Sequence, residues 1–446
     1  MAATSVPQLL AYAETVGYAG YRGLATAGPP LFAWGLVTGS PFMNCGVTSI
    51  TALMAKTDLQ GEQYVIEHGE EDYVKLVAAY SFYVGLASLF LALVGFGTLA
   101  KGVPKPVQTG FKWGCAVGVL VSAVPAGIFA RGSQELKSLV AVSTAGVYLR
   151  VMKESFPAAT GAVAVSNFFY GLSNPQTWSV VPTILFVVCT IIVMQGKYYL
   201  PKLLPPGTEV IIATAGATLF SVYTAYDAEI VGEIPVMDSD AGMSFFEGRI
   251  RIPIEIVDIK GLLTEVPILE RFGNSWAMLA ISATLFAAVN FLSIMGIASG
   301  FEADDGIAWS APRELLSQGV ACGVAAAVGS APVSGSLSRS LVSRMTGATS
   351  PLACLATALF WIYLLPYMGI MSATPKAALS AVIVSAVLKG VCVPKDLMKL
   401  KGLDFVVGWG SGIATALTSP TIGFGIGLAV YIALNPLRTK LKAKTA

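Results

Sequence analysis

Charged residues are unevenly spaced along the 446-residue chain, and the gaps between them carry the first structural information. Thirty-three uncharged residues separate Arg22 from Lys56, 25 separate Lys75 from Lys101, and 42 separate Glu154 from Lys197. Further on, 30 lie between Arg271 and Glu302, 31 between Arg344 and Lys376, and 33 between Asp404 and Arg438. One helix crosses a bilayer with about 20 apolar residues. Several of these gaps are therefore expected to hold more than one spanning segment.

Apolar length and Gly/Pro breaks predict fourteen segments. Segment 1 covers Val6 to Tyr18, segment 2 Leu24 to Val37, a short segment 3 Gly46 to Ala55, segment 4 Leu76 to Leu99 and segment 5 Val107 to Phe129. An amphipathic stretch from Val142 to Leu172 precedes segment 6 (Val180 to Met194) and segment 7 (Val210 to Tyr226). After a long polar excursion come segment 8 (Ser275 to Ser299), segment 9 (Leu315 to Val328) and a second short one, segment 10 (Gly335 to Met345). Segments 11 to 14 fall at Leu352 to Met368, Ala377 to Leu388, Phe405 to Leu417 and Gly423 to Leu434. The short, Gly-introduced segments are each the third of their half, which is the pattern of an inverted repeat, here about 1–227 and about 270–437. The expected fold is an all-α polytopic membrane protein, one transmembrane domain with a 7+7 inverted repeat and a short basic cytosolic tail at 438–446.

Composition agrees and narrows the classes. Hydrophobic residues make up 55% of the chain and charged ones 12%, against the roughly 25% charged share of soluble domains. A formal charge of +2, without a basic tract interleaved with aromatics, argues against nucleic acid as a partner. The six cysteines have no C-x-x-C spacing and the only histidine, His68, sits among Glu67, Glu70, Glu71 and Asp72, so neither a metal site nor a cofactor is expected. No nucleophile, base and orienter set points to an enzyme. Acidic residues collect after segments 3 and 7, whereas Lys101, Lys105, Lys197, Lys202, Lys389 to Lys401 and the C-terminal lysines fall on the other side. The positive-inside rule makes that side and both termini cytosolic. The loop from Glu302 to Arg313 is net acidic and departs from the rule.

A half-helix that starts inside the membrane exposes unsatisfied N–H groups and roughly half a positive charge at its N-terminus. Two of them facing one pocket make an anion trap. Segments 3 and 10 supply Thr48, Ser49, Ser336 and Ser338 as candidate donors, with Arg339 beside them. An arginine at that depth costs about 2.5 to 3.5 kcal/mol on insertion scales, which marks a functional position. Snorkelling to the cytosolic interface, or pairing with a carbonyl, is the structural alternative.

The stretch VPQLLAYAETVGYAGYRGLATAGPPLFAWGLVTGSPFMNCGVTSITALM resembles the sulfate permease family, whose corresponding run reads I-P-Q-G-M-A-Y-A, then P-P-x-x-G-L, then a G-P-x-A-x-x-S-L half-helix. PKPVQTGFKWGCA, AEIVGEIP and PRELLSQG also look like family motifs, and APVSGSLSRSLVSRMTGATSPLA is similar to its P-V-T-G-S-x-S-R-[ST] signature. The resemblance runs in order from Val6 to about Lys389. It implies a core domain (segments 1 to 4 and 8 to 11) that rocks against a gate domain (5 to 7 and 12 to 14), with a site built from segments 1, 3, 8 and 10. Carried over by residue, it assigns anion contacts to Gln8 and Tyr12, to Thr48 and Ser49, and to Ser336, Ser338 and Arg339.

Departures qualify that transfer. Segment 8 lacks the family's acidic residue: Ser293 stands there, and Asn290 one turn earlier offers a polar contact or a packing group. Val47 replaces the proline of half-helix 3, and Glu14 stands where the family prefers an apolar residue, about 200° round the helix from Tyr12. Glu14 reads as a domain-interface or membrane-edge residue, with a coupling role as the alternative. No C-terminal STAS domain is expected. The implied function is secondary-active transport of a small inorganic oxyanion, sulfate first and bicarbonate next, with molybdate and chloride open. A nucleobase carrier of the same architecture and an anion-binding channel or voltage-responsive protein stand as alternatives. The expected partners are the anion and the lipid bilayer, in the plasma membrane by preference, with a homodimer left open.

Overall fold

The structure is a computed structural model that describes residues 2–100, 103–143, 160–199, 207–224, 226–234, 243–245, 250–252, 254, 256–264, 266–345 and 347–445. The principal helices are α1 (Ala2–Val16), α2 (Gly28–Val37), α3 (Ser49–Asp58), α4 (Glu70–Leu93), α5 (Lys105–Ile128), α6 (Thr160–Ser173), α7 (Val180–Tyr199) and α8 (Thr208–Thr224). Beyond the polar excursion lie α9 (Trp276–Asp305), α10 (Ala311–Ala327), α11 (Leu337–Met345), α12 (Leu352–Leu364), α13 (Lys376–Cys392), α14 (Leu403–Leu417) and α15 (Pro420–Thr445). Five helical stretches among the described residues are long and apolar enough to cross a bilayer unaided: Glu70–Leu93, Lys105–Ile128, Trp276–Ser299, Leu352–Met371 and Lys376–Met398.

Several boundaries correct the sequence expectations. The short segments start later than their glycines, because Cys45–Gly46 (β1) and Ser334–Gly335 (β2) form a two-residue antiparallel pair ahead of the helices. Segment 8 runs on to Asp305, so Glu302 lies on its last turns rather than in a loop, and Gly306 with φ +69° ends the helix in a left-handed cap. The basic tail at 438–446 continues α15 as far as Thr445. Within the polar excursion, Met243–Phe245 pairs with Ile250–Ile252. Most of the amphipathic stretch, 144–159, lies outside the described residues, as does Lys202.

The chain divides into two compact units. The first comprises Met1–Ala100 and Ile184–Val382, so α8 and most of α7 group with α1 to α4 and α9 to α12, not with the set the resemblance assigned them to. In this unit α10 packs along α4, while α2 lies against α10 and α12. Glu314 is fully buried at the start of α10. It accepts from Thr38 Oγ1 at 2.8 and 3.0 Å and from the Gly39 and Ser40 amides at 2.9 and 3.2 Å. These contacts satisfy the chain end that leaves α2, so the buried carboxyl group is held by directed donors. A smaller cluster of Cys189, Val193, Val210, Ala213, Ala217, Ala378 and Val382 joins α7, α8 and the start of α13.

The second unit comprises Lys101–Thr183 and Ile383–Ala446, with α5, α14 and α15 at its centre. Its helices approach closely through small residues, as lipid-embedded helices do. A Cβ on Gly110 would lie 2.0 Å from the Gly408 carbonyl oxygen, so only glycine fits at that crossing.

Candidate anion site

The site grows out of the β1–β2 pair, which lies within the first unit. Cys45 faces Gly335 and Gly46 faces Ser334 in antiparallel register, and the Ser336 amide extends the ladder by donating to the Asn44 carbonyl at 2.8 Å. Each strand feeds its own half-helix within three residues, β1 into α3 and β2 into α11. Antiparallel strands send the two helices away from the crossing in opposite directions. Their N-termini, and the positive ends of their dipoles, therefore converge there. The pairing also lets main-chain groups of the two strands satisfy one another.

Thr48 caps α3 from an extended conformation. Its Oγ1 accepts from the Thr51 amide at 3.3 Å, and Thr51 Oγ1 accepts from the Thr48 amide at 2.9 Å. The first helical bond runs from the Ala52 amide to the Thr48 carbonyl, so Ser49 and Ile50 present their amides at the open end of α3. On the other side the Ser340 amide bonds to the Ser336 carbonyl at 2.9 Å, which leaves the amides of Leu337 to Arg339 at the open end of α11. Ser340 Oγ accepts from the Asn44 amide at 2.9 Å and ties that end back to β1.

Arg339 is 4% exposed. One terminal nitrogen, Nη2, donates to the Val47 carbonyl at 3.1 Å, while Nε has no hydrogen-bond partner. No carboxylate among the described residues pairs with it. Burial rules out snorkelling, and Nε of the guanidinium fork stays without a hydrogen-bond partner among the described residues. Gly46, at φ +155°, makes room for it: a Cβ there would lie 2.8 Å from Nη1 and 2.9 Å from Nη2. Val47 thus contributes its carbonyl to the arginine.

From α1, the Tyr12 hydroxyl approaches Ser49 and Arg339. Tyr12 is 7% exposed. Gln8, one turn earlier, is half-buried, and its Oε1 has no partner. From α9, Asn290 donates through Nδ2 to the Val333 carbonyl at 2.8 Å, so it braces the strand that leads to α11. Ser293 is half-buried on the same helix. The fold thus brings Tyr12, Ser49, Ser336 and Arg339 around one crossing, assigns Thr48 to the cap and Asn290 to the support. The side chain of Ser338 lies outside the described residues. Asn44, Ser340 and the Val47 carbonyl were not singled out from the sequence; their contacts span about 290 positions, and nothing local announces them.

A cavity of ≈ 20 Å³, room for about one water, touches Arg339, Asn44 and Gly46. Its lining takes Ser5 and Leu9 from α1, not Gln8 and Tyr12. Among the described residues no group of three or more His, Cys, Asp or Glu side chains could hold a metal ion.

Comparison with known proteins gives a consistent picture. The sequence profile of the sulfate permease family matches residues 1–409. The chain is similar to a probable sulfate transporter of Mycobacterium tuberculosis, 26% identical over 445 residues, covering 98% of this chain and 68% of that protein. It is 24% identical over 462 residues to human solute carrier family 26 member 6, covering 99% of this chain and 54% of the relative. Among solved structures, the murine solute carrier 26 member A9 anion transporter in the inward-facing state superposes with a TM-score of 0.74 at 18% identity, over 98% of this chain and 67% of that one. The transmembrane domain of the cyanobacterial bicarbonate transporter BicA superposes with a TM-score of 0.67 at 14% identity, over 96% and 94%.

Proposed function

Since this chain belongs to the sulfate permease family, and so is a multi-pass membrane anion transporter, we propose that it is a secondary-active carrier of a small inorganic oxyanion, with sulfate as the preferred substrate. The anion sits between the open N-termini of α3 and α11. Ser49 and Ser336 offer hydroxyls and neighbouring amides, Tyr12 closes the pocket from α1, Gln8 adds its amide, and Arg339 supplies the positive charge. Access alternates between the two sides of the membrane as the segments bearing the site rock against the others, with both termini cytosolic.

The observation that carries this reading is the buried Arg339 guanidinium with a single carbonyl contact and no carboxylate partner among the described residues. Held between two helix N-termini, it concentrates positive potential in a low-dielectric setting. A dianion with tetrahedral oxygens answers both the charge and the number of donors. The same surplus disfavours a nucleobase, which is neutral and would leave the guanidinium uncompensated. Bicarbonate is the second substrate reading, favoured by the fold shared with the BicA transmembrane domain.

Uptake of labelled sulfate into proteoliposomes tests the proposal. Saturable uptake that unlabelled sulfate competes away, and that Arg339→Ala abolishes, is the expected result. Vesicles that take up no small anion, or an Arg339→Ala variant that matches the parent, would overturn it.

A further inference from the structure

A second ionic cluster lies away from the crossing, at the C-terminal end of α1. Lys376 opens α13, and its Nζ lies 3.6 Å from Glu14 Oε1 and 3.5 Å from Glu229 Oε2. The three side chains are 22% (Glu14), 28% (Lys376) and 35% (Glu229) exposed, enough for a proton to reach them and too little for full hydration. All three belong to the first compact unit.

The two carboxylates are held differently. The segment of Glu229 is strapped to the start of α13 by main chain: the Lys376 amide donates to the Glu229 carbonyl at 3.0 Å, Val231 to Thr374 at 2.9 Å and Gly232 to Ser372 at 3.0 Å. Thr218 Oγ1 on α8 and Thr374 Oγ1 add a 2.8 Å contact. Glu14 joins this assembly through its side chain alone. The other charged groups nearby do not balance the cluster. Asp227 and Glu233 flank Glu229 and are themselves acidic, Arg22 is engaged by Glu70 and Glu71, and the tyrosines at and just beyond the C-terminal end of α8, Tyr223 and Tyr226, add no positive charge. One cation thus serves two carboxylates, and a single proton removes the surplus negative charge. Because Glu229 keeps its backbone ties, the carboxylate that can leave on protonation is Glu14.

We propose that Glu14 is a proton-binding site, formed with Lys376 and Glu229, that releases the end of α1 when protonated and so couples anion movement to pH. In that reading α1 presents Gln8 and Tyr12 to the anion on one face and Glu14 to Lys376 on another, so a displacement of α1 that follows the anion must stretch the Glu14–Lys376 pair. A proton on Glu14 weakens that pair and lowers the resistance to the displacement. The inference rests on the carrier reading above for its transport consequence, not for the proton site itself.

Two measurements on the full chain test it. In proteoliposomes, sulfate uptake by the parent should rise by at least about threefold when the outer pH is lowered from about 7.5 to about 5.5, the size expected of linkage to one proton. Glu14→Gln should lose this dependence and transport at both pH values like the acidified parent, whereas Asp227→Asn should keep it. Independently of transport, hydrogen–deuterium exchange of the purified protein should show the last turn of α1 losing protection on acidification in the parent and lacking it at both pH values in Glu14→Gln. A Glu14→Gln variant that retains the pH dependence of uptake, or whose α1 exchange still responds to pH as in the parent, would overturn the proton site. If no anion moves at all, the carrier reading falls and the exchange experiment alone decides this one.

Discussion

Arg339 is buried with one carbonyl contact and an unpartnered Nε, a condition that an anion relieves. Removing the charge should weaken sulfate binding to the detergent-solubilised protein by about tenfold or more, or about 1.4 kcal/mol, as read by competition with a labelled anion. Arg339→Lys keeps the charge but not the fork, so it should fall between parent and Arg339→Ala. Gly46→Ala should imitate the loss without replacing the arginine. Its methyl group would press on Nη1 and Nη2 within 3 Å, and the φ of +155° is strained for any L side chain. A variant that folds with unchanged thermal stability yet binds sulfate as the parent does would show that the guanidinium position is unimportant. At this scale the sequence was informative where chemistry is unusual in context: an arginine and a run of hydroxyls inside an apolar segment stand out. It was silent on Asn44, Ser340 and the Val47 carbonyl, because main-chain pairing between positions about 290 apart has no local signature.

The proposed site is built on two helices of 10 and 9 residues, each roughly 15 Å long and too short to span a bilayer. Their length was legible from the interrupted apolar pattern, but their first residues were not. The glycines that looked like helix starts serve the strand pair, and the helix of α3 begins after its Thr48 cap. Thr48→Val should remove the reciprocal cap with Thr51 at a cost of about 1 kcal/mol, detectable as a lowered unfolding midpoint in detergent. Glu314→Ala should cost more, at least about 3 kcal/mol, because the Thr38 hydroxyl and the Gly39 and Ser40 amides would all lose their buried acceptor. A midpoint unchanged by Glu314→Ala would mean that water replaces the carboxylate there, and that the end of α2 is wetter than its burial implies. The helical extension of α9 to Asp305 escaped the sequence reading because its last turns carry acids, which composition alone assigns to a loop. Asp305 instead pairs with Arg344 at 2.6 Å, near the end of α11.

On the scale of the whole molecule, the uncharged gaps and the paired short segments were sufficient to anticipate a polytopic helical fold, and superposition on the solute carrier 26 member A9 and BicA structures agrees with it. The grouping of α7 and α8 with the first unit was not anticipated, since it depends on side-chain packing among Cys189, Ala213, Ala217 and Ala378 that has no periodic trace in the sequence. The pH response assigned to Glu14 also belongs to this scale, because it ties the end of α1 to α13 and to the segment after α8. All of it presupposes that the anion occupies the crossing of β1 and β2. The most direct test is a density map of the protein with selenate, a heavier tetrahedral substitute for sulfate. The expected result is a single peak within hydrogen-bonding reach of the Ser49 and Ser336 ends of α3 and α11 and beside Arg339, absent in Arg339→Ala. A peak elsewhere, or one that persists unchanged without the guanidinium, would contradict the account.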